Sequence, residues 1–584
     1  MYAVSCLLLL SGFTAPAPPH RHPTDLTAIC RVNAPYFEGD VRFSETAVFW
    51  FGRVMPGENA LDVRVGYNDE HLFLHVAAID RRIWYDPSPT PETLDQWDGV
   101  TVYVDTDGAP GATPTATSHR FDAQVVWWEE REAYEVAYVG NGTGWSPSDV
   151  PFTTRSNWRG EAPNNHVDDR GWFVQVQIPF ASLGLDGAPA AGKRWALAVV
   201  GHDRDSDAMA PEPDQVWPEA ASTQQPATWG ELAFSLPQYE TPLALTEDTV
   251  TIREGLDGAV VPDAPVGGGT VCGGGSDYWT EWGDLNYGDV IVANVQNQID
   301  IADWPCFSRY YVTFPLDALL ADRAVISATL TLHHRGNTGI GWDPGPQPSW
   351  VQVLSVNKAW DEATLTWNNA PPVRENLTGT WVESVLEYPC LPGIPYNWDV
   401  SRAVAEAHAA GQPVRLAVYE ADAAIQSGKY FRTSEEELFN AVGRPTLRIT
   451  YGVPLPDLGL QALPTQGNQG DLISYTLNLM GSDHPLILTN TLPIGLGDPL
   501  SITITGDHTA PVYDDETHLL TWQGTPALGE QVEIQYRTPI TTQISQRLST
   551  SATLENVANS VSNTAEVAVF ANAHHIRLPL IIRQ

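Results

Sequence analysis

The sequence predicts an all-β chain of tandem β-sandwich domains, and three observations predict it. Apolar and polar residues alternate at period two in Leu72-Phe-Leu-His-Val, Thr101-Val-Tyr-Val-Asp, Phe173-Val-Gln-Val-Gln-Ile and Thr329-Leu-Thr-Leu-His, the spacing of a strand with one buried face. Such runs are short and are separated by clusters of Gly, Pro, Asn and Asp, the residues that tight turns need. Helical periodicity is scarce; its best case is Val400–Gly411, with Ser401 placed to cap its start and Gly411 to stop it.

The chain has 584 residues, and at roughly 100–200 residues per domain three or four domains are expected. A hydrophobic fraction of 43% lets most of it bury a core, while Gly 47 and Pro 46 make it rich in turns without reaching low complexity. Asp and Glu number 71 against 31 Lys and Arg, a formal net charge of −40, and the lysines are Lys193, Lys358 and Lys429 alone. Phosphate backbones are gripped by clustered cations, so this balance argues against nucleic acid and against an anionic membrane surface. Abundant carboxylates do suit a calcium-containing exterior. The five cysteines, Cys6, Cys30, Cys272, Cys306 and Cys390, form no CxxC pair, which removes zinc ribbons and thioredoxin-like motifs. One disulfide, Cys306 with Cys390 for instance, is compatible with the spacing but does not follow from it.

From the N-terminus, residues 1–22 carry an apolar run followed by Ala and Pro, as at the back end of a secretory signal, although no basic residue precedes the run. Export, to the medium or the cell surface, is therefore expected. Composition then divides the chain into residues 25–239, dense in tryptophan, 243–452, and 455–571, which has Trp522 as its one tryptophan and no lysine. Residues 572–584 form a basic, apolar tail. No stretch beyond the first reaches the roughly 18 apolar residues that span a bilayer.

In the first segment, Val65–Asp80 is followed by Asp98-Gly-Val-Thr-Val-Tyr-Val-Asp-Thr-Asp107, Gly171-Trp-Phe-Val-Gln-Val-Gln-Ile-Pro-Phe180 and Trp229-Gly-Glu-Leu-Ala-Phe234. This order of strand phrases resembles the family 9 carbohydrate-binding module and its DOMON-like relatives. The resemblance implies two packed antiparallel sheets, bound calcium, and a slot where tryptophans stack on a sugar ring. The physics is compatible, because pyranose faces carry C–H bonds and an exposed indole is a large flat apolar platform. Trp172, Trp195 and Trp229 sit in strand phrases and read as core; Trp127, Trp128 and the remainder carry no assignment. Trp84, Trp97 and Trp217 lie among Asp, Pro and Gln in expected loops and are the candidate sugar platforms, Trp217 as one wall of the clamp and Trp84 as the other. Calcium takes six to eight oxygens, and the candidate ligands are Asp203, Asp205 and Asp207, at alternate positions, with Asp105 and Asp107 before a glycine turn. A solvated acidic turn is the competing reading. Neither run has the closing glutamate of an EF-hand.

In the second segment, Arg309–Leu319, Ala324–His333, Trp360-Asp-Glu-Ala-Thr-Leu-Thr-Trp-Asn-Asn-Ala-Pro371, Trp398-Asp-Val-Ser-Arg-Ala-Val and Arg444–Tyr451 are similar to the DNRLRE-type domain, also classed as family 96 carbohydrate-binding modules. The resemblance implies a jelly-roll-like sandwich and, for some members, binding of acidic polysaccharides such as alginate. Trp360, Trp367 and Trp398 match family phrases and read as core. Arg335, Arg402 and Lys429 are basic residues able to meet a uronate carboxylate. The glycine-rich Val266–Ser276 lacks the Gly-Lys-Ser/Thr ending that cradles phosphate and reads as a loop.

The third segment, through Asp457-Leu-Gly-Leu, Leu472–Leu479 and Thr489-Asn-Thr-Leu-Pro493, resembles DUF11-type immunoglobulin-like repeats, which act as spacers. Without lysine it has no means of forming a Lys–Asn isopeptide crosslink. Nothing along the chain resembles HExxH, GxSxG or a Walker loop, and the resemblances leave no room for a separate catalytic domain. The expected function is non-catalytic attachment of a monomer to xylan, cellulose or an alginate-like polysaccharide. Two alternatives stay open: an adhesin-like surface scaffold, and a hydrolase or lyase acting on O-glycosyl bonds.

Overall fold

The computed structural model describes residues 30–573 except 127–130, 269–276, 299–306, 422–423, 483 and 528. The signal-like segment, most of the tail, Trp127, Trp128, Cys6, Cys272 and Cys306 lie outside the described residues, and so does the Cys306 side of the disulfide considered above. The chain is all-β and built of tandem sandwiches. It divides into two compact units: unit 1 is Met1–Tyr239, Val250–Ala321 and Ala328–Arg448, and unit 2 is Glu240–Thr249, Asp322–Ser327 and Ile449–Gln584.

The first half of unit 1 faces two sheets together. One is antiparallel, in the order Ala47–Met55, Glu58–Tyr67, His71–Ile79, Gly171–Pro179, Thr153–Arg159. The other centres on Arg194–His202, paired on one side with Gly99–Asp105 and on the other with Gly230–Phe234. Period-two alternation is what allows this: Leu72, Leu74, Val76, Val174 and Ile178 are fully buried, while the intervening Phe73, Gln175 and Gln177 face outward. Gly201 is required by the close approach of the sheets, since a Cβ there would stand 2.4 Å from Leu61 Cδ2.

The second half of unit 1 is a further sandwich. Asp263–Val266, Phe307–Phe314, Val414–Glu420, Ser349–Val356 and Val373–Val382 are neighbours in one layer. In the other, Lys429–Arg432 lies between Val292–Asn297 and Ala324–Asn337, which also pairs Ile394–Asp399. The expected helix forms at Ser401–Ala409. Ser401 is its first turn rather than its cap: its N–H and hydroxyl both donate to Asp399 Oδ1, at 2.9 and 2.5 Å.

The two halves share one apolar core, in which Phe49, Trp50 and Val54 join Tyr311, Leu354, Trp367 and Tyr419. Polar contacts cross the same boundary. Arg309 lies 4.0 Å from the Trp50 ring centre, 3.7 Å from that of Trp367 and 4.8 Å from that of Tyr419. Asn33 and Asn376 exchange three hydrogen bonds of 2.7–3.0 Å, and the Asn33 amide also donates to Glu375.

Unit 2 is a separate two-sheet sandwich. Its sheets run Leu458–Leu463, Leu472–Met480, Gln531–Pro539, Leu500–Ile504 and Gln466–Gly467, Val561–Ala571, Gln546–Asn556, Leu486–Thr491, Leu519–Gly524, Val512–Asp514. Its core holds Trp522 and the stacked pair Tyr475–Tyr536, with ring centres 5.1 Å apart. Among the described residues no helix is long and apolar enough to cross a membrane.

Candidate functional site

The outer face of the five-stranded sheet in unit 1 forms an open groove of about 350 Å3. Its floor comes from alternation: the residues that cannot face the core, Phe73 on one strand and Gln175 and Gln177 on the next, point here together. Arg155 stands opposite Gln175 across the neighbouring strand pair. One wall is the turn carrying Asp40 and Phe43, whose ring meets Phe73 edge-on at 6.5 Å. His75 stacks on Phe173 at 4.8 Å, and the Gln175 amide donates to His75 Nδ1 at 2.9 Å. Aromatic surface beside exposed amides and a guanidinium suits a ligand that has apolar C–H faces and a rim of hydroxyls.

The expected tryptophan clamp is not formed. Trp217 is 2% exposed, its ring 4.1 Å from Phe49 and pressed on Gly230. Trp84 is 6% exposed, and its backbone exchanges hydrogen bonds with Asp98. Neither offers a face to a sugar, because a large ring with several apolar neighbours gains more from burial than a loop gains from exposing it. Trp97 is half-buried, and the Arg204 guanidinium covers its ring at 4.1 Å. Well-exposed aromatics occur instead in the second half of unit 1, at Trp342 (74%) and Tyr388 (62%). There Lys429 is fully buried and donates to Gln347 O and Ser349 Oγ, and Arg402 is paired with Glu375 and Glu406.

Of the expected calcium ligands, Asp203 and Asp205 do converge, and they do so with Asp80, which the sequence reading missed: one oxygen from each lies within 4.8 Å of the others. Asp80 directly follows the strand His71–Ile79 and accepts from Trp172 Nε1 and Arg82 N, both at 2.8 Å. Asp98, beside them, accepts from the backbone N–H of Trp84 and Arg204. Burial, followed by repulsion from Asp80 and Asp205, holds the Asp203 carboxyl well above the usual range; burial does the same for Asp80 and Asp98. Asp203 Oδ1 is buried without a hydrogen-bond partner. An all-oxygen donor set with an orphaned carboxylate oxygen fits a hard cation.

Asp105, Asp107 and Asp207 do not join this cluster. Asp105 is buried and accepts from the Ser118 and Thr117 hydroxyls and from Asp107 N, so it pins a hairpin. Asp107 caps the next turn through Ala109 N, and Asp207 is exposed. Asp80 and Asp98 had a signal in the sequence, namely an aspartate at the end of one strand phrase and another at the start of the next. The groove had a weaker one, the alternation of Phe173, Gln175 and Gln177.

Residues 279–451 match the family model for Carbohydrate-binding module family 96. No curated protein matches the chain. Among solved structures, a family 9 carbohydrate-binding module from Caldicellulosiruptor kristjanssonii in complex with cellotriose aligns at 13% identity over 37% of this chain and 100% of its own, with a TM-score of 0.26. A putative carbohydrate-binding protein from Bacteroides uniformis aligns at 12% identity over 35% and 99%, TM-score 0.28. The N-terminal domain of a Streptococcus gordonii adhesin aligns at 8% identity over 94% and 100%, TM-score 0.19.

Proposed function

We propose that this chain is an exported, non-catalytic protein that binds polysaccharide, with the groove over Phe73, Gln175 and Arg155 as its principal sugar contact. The match of residues 279–451 to a carbohydrate-binding family carries the class of ligand. The groove's aromatic floor and polar rim support the location. Trp342 and Tyr388 are a second surface of suitable chemistry, and two linked sites raise avidity by roughly 10²–10⁴ without new contacts. Calcium at Asp80, Asp203 and Asp205 is part of the proposal, as a structural ion that neutralises buried charge and fixes the strand ends. The burial of Trp84 and Trp217 favours one competing reading, a surface scaffold without a sugar clamp.

Co-sedimentation of the purified chain with insoluble xylan, cellulose and calcium-alginate gel tests the proposal, alongside an assay for released reducing ends. Retention on at least one polymer with no release is the expected result. Retention on none favours the scaffold, and sugar release rejects the non-catalytic reading.

A further inference from the structure

A second acidic cluster lies in the other half of unit 1, far along the chain from any ligand expected from the sequence. Asp263 opens the strand Asp263–Val266, Glu362 lies in the turn after Trp360, and Glu435 lies in the turn after the strand Lys429–Arg432. One oxygen from each falls within 4.8 Å of the others. One strand and two turns separated by as much as 172 positions would not bring carboxylates together by local chance.

Each carboxylate is oriented by a hydrogen bond. Asp263 Oδ2 accepts from Ser434 N at 2.7 Å, Glu362 Oε1 from Asp263 N at 2.8 Å, and Glu435 Oε1 from Ser434 Oγ at 3.2 Å. That leaves Asp263 Oδ1 and Glu435 Oε2, both buried, without a hydrogen-bond partner. The Tyr310 hydroxyl, also fully buried, lies within reach of the Asp263 carboxylate. Among the described residues none of the three acids forms an ion pair. The nearby cations are committed elsewhere: Arg432 to Glu436 and to Pro392 O, Arg444 to the carbonyls of Glu436 and Glu254.

A buried carboxylate without a counter-charge or a full set of donors is costly. Three of them sharing one point are relieved by protonation or by a shared cation. An all-oxygen donor set suits a hard cation, and calcium, which accepts irregular geometry, more readily than magnesium, which demands a near-ideal octahedron. With no His or Cys in the cluster, zinc is disfavoured. We propose that Asp263, Glu362, Glu435 and the Tyr310 hydroxyl form a calcium site that ties the first strand of this sandwich to two of its distant turns. It is independent of the groove and of the Asp80–Asp203–Asp205 cluster, and it does not rest on sugar binding.

Calcium titration of the chelator-treated full chain by calorimetry tests it, comparing the parent with Glu435→Gln, Glu362→Gln and Asp203→Asn. The expected result is loss of one equivalent, or at least about tenfold weaker binding, in each glutamine variant, with that equivalent retained in Asp203→Asn. Parent-like binding in a folded Glu435→Gln or Glu362→Gln variant overturns the site. Should the variants fail to fold, terbium soaked into crystals of the parent protein decides: an anomalous peak among the three carboxylates supports the site, and its absence at terbium saturation overturns it.

Discussion

At the residue scale, the burial of Trp217 changes what its substitution should do. With 2% exposure and a ring packed on Phe49, Trp217→Ala is expected to cost about 3–5 kcal/mol of stability, while polysaccharide retention persists below the lowered melting temperature. A denaturant melt beside a retention assay checks both, and lost retention in a folded variant would restore Trp217 to the site. His334 gives a pH dependence. It is buried against Tyr396 and Phe431, and burial followed by the Lys429 charge pushes its pKa from 6.5 down to about 4. The unfolded chain therefore takes up this proton first. Its contribution to stability is full above about pH 6.5 and is lost as pH falls toward 4. His334→Leu should flatten that part of the stability curve, as urea melts at pH 4.5 and 7 would register. Tryptophan roles were only partly legible in the sequence: Trp172 and Trp195 could be read as core from strand phrases, but Trp84 and Trp217 sit in loop-like sequence, and whether a ring there folds inward depends on partners distant along the chain.

At the scale of elements, strand alternation was legible because its period is fixed by the pleat, and the helix at Ser401–Ala409 was marked by its own periodicity. What sequence did not reveal was which strand ends meet. Asp203 and Asp205 are neighbours in sequence, but Asp80 joins them only through the sandwich. That convergence predicts a reversal of sign. In calcium, Asp203→Asn should lower the melting temperature by removing a ligand. In chelator it should raise it, because it removes a buried carboxyl that burial, followed by repulsion from Asp80 and Asp205, makes costly to fold away from water. Calorimetric melts of both proteins with and without EDTA read this directly. Destabilisation of equal size in both conditions would mean that no ion is held there.

At the scale of the whole molecule, composition shifts suggested separate domains at residues 25–239 and 243–452, yet the structure gives these segments a common core within unit 1. Such sharing leaves little trace in sequence, since Trp50 and Arg309 look like ordinary strand residues until they are 4.0 Å apart. Because Arg309 is buried among Trp50, Trp367 and Tyr419, Arg309→Ala is expected to cost about 2 kcal/mol or more in lost cation–π contact and packing. It should also weaken hydrogen-exchange protection on both sides of the boundary, in Ala47–Met55 as well as Val414–Glu420; protection lost on one side alone would show that the halves fold independently. The shared core covers part of the five-stranded sheet's outer face and leaves open the groove over Phe73, where the sugar contact is proposed. The most direct test is retention of the Phe73→Ala/Gln175→Ala variant, in calcium, on whichever polysaccharide holds the parent chain. At least a tenfold loss of retention with the melting temperature unchanged is the predicted result; parent-like retention would contradict the groove as the site of binding.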